Sequence, residues 1–320
     1  MSKKSSGPLS RIPGPAHPHR REDPLPGQSP KPPDEDPQAP ASLAAIVQSP
    51  SYRLAEEDVE FLRSDDTRGP RLQLEYLKPA VRLAEHRIAH TIVVFGSTRI
   101  PEPAAAQRNV ETLRQALAGT PDAALARRLA VAERILAKSR YYDVAREFGR
   151  LVGAAGRQPT NPHVVIMTGG GPGMMEAANR GAFDVAANSV GLNIDLPHEQ
   201  FPNPYITPDL CFRFHYFALR KMHFLMRAKA LVAFPGGFGT IDELFEVLTL
   251  VQTRKIKPVP VVLVGEDFWS RAIDFAYLAD EGVIDPEDRG LFWYAESAAD
   301  IWRGILQWHE TAGEPLCAME

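Results

Sequence analysis

Cysteine is close to absent from this chain of 320 residues, with Cys211 and Cys317 as its two copies. Two distant thiols form neither a CxxC metal knuckle nor a disulfide framework, so they read as a small buried residue and a tail thiol in a reduced compartment. Long apolar runs are missing as well: nothing approaches the roughly 18 residues of a membrane span, and the first residues lack the apolar centre of a secretion signal. Basic clusters are missing too. The formal charge is -4, and neither Lys nor Arg accumulates on one segment of the folded part. That removes the electrostatic reason to bind nucleic acid or an anionic membrane. A cytoplasmic protein with neither partner is expected.

What is present is enough apolar material, 44% of the chain, for one large domain or two small ones. The first 40 residues stand apart. They carry 11 of the 29 prolines and almost no large apolar side chain, too little burial to offset the entropy of ordering. Residues 1–49 are therefore expected to be a disordered, Pro-rich tail, and its acids Glu22, Asp23, Asp34, Glu35 and Asp36 argue against a transit peptide. Residues 50–90 read as a helical extension of short helices, broken at Gly69-Pro70.

From 91 to 310, apolar β-branched runs alternate with helical patterns. The runs are TIVVFGS (91–97), HVVIMTGGG (163–171), SVGLNID (189–195), KALVAFPGG (229–237) and VPVVLVG (259–265). The expected fold class is α/β: a doubly wound, Rossmann-like, mostly parallel sheet with helices on both faces. Residues 103–138, rich in Ala, Arg and Leu, read as an insertion of two helices, and 311–320 as a C-terminal tail.

Two strand ends are rich in glycine. One runs through Gly169, Gly170, Gly171 and Gly173 into a helix, the other through Gly236, Gly237 and Gly239 to Thr240 and a second helix. Glycine lets backbone N–H groups approach an anion, and the helix that follows adds unpaired donors and the positive end of its dipole. Both turns are phosphate-shaped, and both should open on one crevice beyond the strand ends. The dinucleotide fingerprint GxGxxG fails at each, and the P-loop GxxxxGK[ST] is absent. A mononucleotide or sugar phosphate fits better than NAD, FAD or ATP hydrolysis. Asp195 stands where a ribose-binding acid would stand, though an acid at a strand end is more often a helix cap or a surface group.

Glu243 follows Thr240 by three residues. That spacing makes a capping box, with the carboxylate returned to the cap N–H. It also places a carboxylate one turn inside a helix whose first turn would hold a phosphate. Cleaving a ribosyl bond passes through an oxocarbenium-like state that needs a carboxylate near the anomeric carbon. Spacing alone leaves both readings open. Arg220, in FALRKMHFLM, reads by itself as a solvated helix face.

Together, Met167 to Ala178, the Arg220-Lys221 pair and Pro235-Gly236-Gly237-Phe238-Gly239-Thr240-Ile241-Asp242-Glu243 resemble the GGGxxGxM, RK and PGGxGTxxE motifs of the "lonely guy" (LOG) family. The likeness spans roughly residues 91 to 307. It implies a nucleoside 5'-monophosphate phosphoribohydrolase, releasing a purine or cytokinin base with ribose 5-phosphate. It implies Arg220 and Glu243 as the catalytic pair, with Gly236, Gly237, Gly239 and Thr240 on the phosphate and Lys221 and Thr249 lining the nucleotide site. Glu199 matches a substrate-contacting acid, and Met174 and Met175 are placed to pack on the base, beside Gly170, Gly171 and Gly173. A homodimer or a multiple of it is implied, with no metal and no cofactor. The tail, the 50–90 segment and the 103–138 insertion resemble the longer bacterial branch, which leaves the preferred base open. Relatives on this fold carry molybdenum cofactor or a nucleotide without cleaving it, the alternative reading. The family's other label, lysine decarboxylase, asks for a Schiff-base lysine, commonly after a histidine, and none of the nine histidines precedes a lysine.

Overall fold

The computed structural model describes residues 15–21, 23, 25, 27–119, 122–157, 164–197 and 201–316. The chain divides into two compact units, Met1–Arg68 and Gly69–Glu320. The first holds helices α1 (Ala39–Gln48) and α2 (Val59–Arg63). Helix α1 lies inside the stretch read from sequence as tail. Pro40 in its first turn presets the helical φ, the Ala-rich run that follows propagates it, and none of its residues is buried.

The second unit follows with α3 (Arg68–Glu85, begun one residue earlier), α4 (Pro103–Gly119), α5 (Ala123–Lys138), α6 (Arg140–Gly156), α7 (Met174–Asp184) and α8 (Phe217–Met226). Helices α9 (Phe238–Gln252), α10 (Glu266–Ala272), α11 (Phe275–Asp280) and α12 (Ala298–Thr311) complete it. The Gly69-Pro70 pair falls in the first turn of α3, where a missing N–H costs nothing. Among the described residues no helix is long and apolar enough to cross a membrane.

Strands β1 (His90–Phe95), β2 (Val164–Thr168), β3 (Ser189–Ile194), β4 (Cys211–Phe214), β5 (Ala228–Ala233), β6 (Val261–Val264) and β7 (Phe292–Ala295) form one sheet in the order β4-β3-β2-β1-β5-β6-β7. Every pairing is parallel. The doubly wound α/β fold read from sequence holds. Strands β4 and β7, CFRF and FWYA, escaped that reading because they lack the β-branched apolar run that marks the equally short β6.

Side chains alternate across the sheet and give it two cores. Ile92, Val94, Ile166 and Val232 face α6, α7 and α12, while Val93, Phe95, Met167 and Leu231 face α8, α9 and Leu83 of α3. Helices α6 and α7 touch backbone to backbone, since a Cβ on Gly149 or Gly181 would strike the carbonyl of Ala178 or Arg146. The pair α4 and α5 closes on a small core of its own, Val110, Leu113 and Ala132.

The winding reverses between β1 and β5. From β1 the chain builds outward through β2, β3 and β4, and on the other side through β5, β6 and β7. Loops leaving the C-terminal ends of β1 and β5 must therefore diverge to opposite faces, and the gap they leave is the ligand position of such sheets.

Candidate active site

A cleft of about 590 Å³ opens at that gap. The turn after β1 lines it with Ser97, Thr98 and Arg99, the end of β3 with Asn193 and Ile194, and the start of α8 with Phe217 and Arg220. Gly169 and Gly171 come from the first glycine loop and Met175 from the start of α7, Gly237 from the second loop, and Phe238, Gly239, Thr240, Asp242 and Glu243 from the first turns of α9.

The two glycine loops differ in kind. In the first, the glycines serve the turn and its packing. Gly173 has φ +72, and a Cβ there would strike the Ser97 carbonyl, which accepts the Met174 N–H at 3.2 Å. Gly170, with φ +73, donates its N–H to Thr168 Oγ1 at 2.9 Å. The amide of Asn203 donates to the Gly171 carbonyl at 3.1 Å and to Asn179 Oδ1 at 3.0 Å, and Thr168 Oγ1 donates to the same Asn179 oxygen at 2.7 Å. This buried network, absent from the sequence reading, holds the loop from within.

The second loop is open. Helix α9 starts at Phe238 with Gly237 as its cap residue and no side chain capping it. Among the described residues no acceptor takes the N–H groups of Phe238, Gly239 or Thr240. A Cβ on Gly237 or Gly239 would meet nothing within 4 Å. Neither packing nor a positive φ calls for glycine at these two positions; what they leave is room in front of three free donors. Gly236 differs, since a Cβ there would run into the Thr240 side chain.

That helix start overturns the capping-box reading. Thr240 is the third residue of α9 and Glu243 the sixth, so Glu243 has no cap N–H to reach. Its side chain is 6% exposed and lines the cleft. Burial pushes its carboxyl up to about 7, against the opposing pull of Arg220 and then Lys221.

Arg220 lies across from it. Its Nε–H donates to the Leu192 carbonyl at 2.7 Å, its guanidinium sits 5.2 Å from the Phe224 ring centroid, and a Cβ on Gly169 would come within 2.6 Å of Nη2. Gly169 is thus the space that admits Arg220. Burial lowers this guanidinium from its usual range and the Glu243 charge opposes the drop; it remains a cation. The two interact through space, without an ion pair among the described residues. The start of α8 is clamped from α3: Glu75 accepts the backbone N–H groups of His215 and of Tyr216, the latter at 3.0 Å, and Arg71 Nε donates to the Tyr216 hydroxyl at 3.2 Å.

The remaining expected residues scatter. Lys221 does not line the cleft; it is 18% exposed and bound to Asp242 at 2.9 Å and Glu246 at 3.3 Å, joining α8 to α9. Thr249 is exposed further along α9, and its carbonyl accepts from Thr253. Met174 is fully buried in the core under Gly96, and Met175 takes the cleft position. Asp195 pairs with Arg213 at the surface. Glu199 lies outside the described residues. Sequence reading missed Ser97, Thr98, Arg99, Asn193 and Phe217; the Gly96-Ser97 strand end was the one signal for the first three. Among the described residues no group of three or more His, Cys, Asp or Glu is placed to hold a metal.

A family model described as "Possible lysine decarboxylase" matches residues 175–305. The chain is 26% identical over 189 residues to the cytokinin riboside 5'-monophosphate phosphoribohydrolase LOG3 of Arabidopsis thaliana, covering 56% of this chain and 82% of that protein. It is 35% identical over 91 residues to LOG7 of the same plant, spanning 42% of that protein and 28% of this chain. With LOG of Oryza sativa subsp. japonica it shares 28% over 168 residues, 51% of this chain and 65% of the relative. Among solved structures, the Moco carrier protein of Chlamydomonas reinhardtii has a TM-score of 0.42 at 18% identity, over 69% of this chain and 98% of that one. This is a Rossmann-like α/β protein. Its glycine-rich half resembles the LOG proteins, through both the family model and curated relatives of that name, at modest identity over about half the chain.

Proposed function

We propose that the protein hydrolyses the N-glycosidic bond of a nucleoside 5'-monophosphate, AMP or a cytokinin riboside monophosphate, to the free base and ribose 5-phosphate. The observation that carries this is Glu243: a buried, uncapped carboxyl with a near-neutral pKa, one helical turn past the open amides of α9 and facing Arg220. The phosphate binds those amides, which brings the ribose towards Glu243. As the bond from the anomeric carbon to the base nitrogen breaks, positive charge grows on the sugar and the ionised carboxylate stabilises it. Water then bonds to that carbon, its proton passes to a base, and the departing base leaves with the bonding pair and takes up a proton. A pKa near 7 suits a group that must be ionised for one task and accept a proton in another. Arg220 favours the ionised form and holds its position through Leu192. The names of the plant relatives support the same chemistry. A carrier of a nucleotide or of molybdenum cofactor would need the open amides alone, leaving the pairing of Arg220 with Glu243 unused.

Purified full-length protein incubated with AMP and with cytokinin riboside monophosphates, with base and ribose 5-phosphate followed by chromatography, tests this. Stoichiometric release of both products is expected. Nucleotide that binds but stays intact across the whole purine and cytokinin panel would move the reading to the carrier.

A further inference from the structure

The charges of the cleft leave one cation over. Four ionisable groups line it: Arg99, Arg220, Asp242 and Glu243. Asp242 is held by Lys221 at 2.9 Å, and Glu243 lies in the field of Arg220. Arg220 is itself anchored on the Leu192 carbonyl, and Lys221 is committed to Asp242 and Glu246. Arg99 is exposed, lines the cleft and makes no salt bridge among the described residues.

Its position is set by the sheet. Strands β1 and β5 are neighbours, with Phe95 in register with Ala233. The Ser97 N–H donates to the Pro235 carbonyl at 3.0 Å, and the Arg99 N–H donates to Ser97 Oγ at 3.0 Å. The turn that carries Arg99 is thereby stapled to the strand end that leads into Gly237 and the open amides of α9. Those amides offer partial charges, whereas a phosphate monoester brings close to two full ones. A guanidinium fork supplies the missing charge in a geometry that fits phosphate oxygens.

Resting on the reading under Proposed function, we propose that Arg99 is the cation that neutralises the phosphate of the substrate and so makes the site select nucleotides over nucleosides. Full-length wild type, Arg99→Gln and Arg99→Lys are compared by calorimetry with ribose 5-phosphate and AMP, and by base release from AMP. The Arg99 side chain makes no bond within the fold among the described residues, so Arg99→Gln is expected to fold, which circular dichroism checks. Both ligands should bind Arg99→Gln about 10- to 100-fold more weakly, the loss that charge-assisted hydrogen bonds account for. KM for AMP should rise by the same factor with kcat little changed, and Arg99→Lys should recover part of the loss. Equal affinity of wild type and Arg99→Gln for ribose 5-phosphate overturns the assignment and leaves the hydrolase reading standing. Wild type that binds neither ligand overturns both.

Discussion

Glu243 is the sixth residue of α9, nearly all of it out of water, with its carboxyl displaced from an ordinary 4.5 to about 7. Because the folded state holds this proton more tightly than the unfolded chain does, the stability it contributes is present below about 4.5 and is lost as pH rises towards 7. Above 7 the ionised, buried carboxylate costs the fold about 3 kcal/mol on the standard conversion of a pKa displacement. Glu243→Gln removes that cost. Its melting temperature should match wild type at pH 5 and equal or exceed it at pH 8, while base release from AMP falls by orders of magnitude at both. A melting temperature that drops at pH 8 would mean the carboxylate supports the fold. Its position was legible in the sequence as a motif residue. Its freedom from capping was not, because the Thr-x-x-Glu spacing is the same whether the helix begins at Thr240 or at Phe238.

Helix α8 carries Arg220, and its start has no side-chain cap of its own. Glu75, 140 residues earlier on α3, instead fixes the chain just before the helix by accepting the N–H groups of His215 and Tyr216. Its negative charge also suits the positive end of the α8 dipole. Glu75→Ala should lower stability by about 1–2 kcal/mol, the usual loss for hydrogen bonds to a partly exposed charged acceptor. Since α8 carries Arg220 into the cleft, and the amides proposed to hold the phosphate belong to α9, kcat should fall more than affinity for ribose 5-phosphate. Affinity lost with kcat intact would show that α3 supports the phosphate end instead. No pattern within residues 50–90 announces this clamp. The helix is visible in its apolar spacing, but the partner of one acid on its polar face is fixed only when α3 meets the turn before α8.

At the scale of the molecule, the sheet has a centre and two short edges. Strands β2, β1 and β5 are flanked on both sides and nearly all their side chains are buried, whereas β4 and β7 each have one free edge. Hydrogen exchange followed by mass spectrometry should find β1, β2 and β5 the slowest and the peptides of β4 and β7 exchanging well before them. Uniform protection across the sheet would mean that it opens as one unit. By itself the sequence determined the alternation of strands and helices and the glycine at two strand ends, and it marked Arg220 and Glu243 as motif positions without saying where their side chains go. Periodicity and backbone freedom are properties of a few adjacent residues, so they can be read locally. Only the tertiary structure decided that the winding reverses between β1 and β5, that one glycine loop is filled from within while the other stays open, and that Lys221 is consumed by acids while Arg99 is not. Empty space and unpaired charge depend on what distant segments bring to a point, and that is settled when the sheet closes and α8 and α9 pack against it.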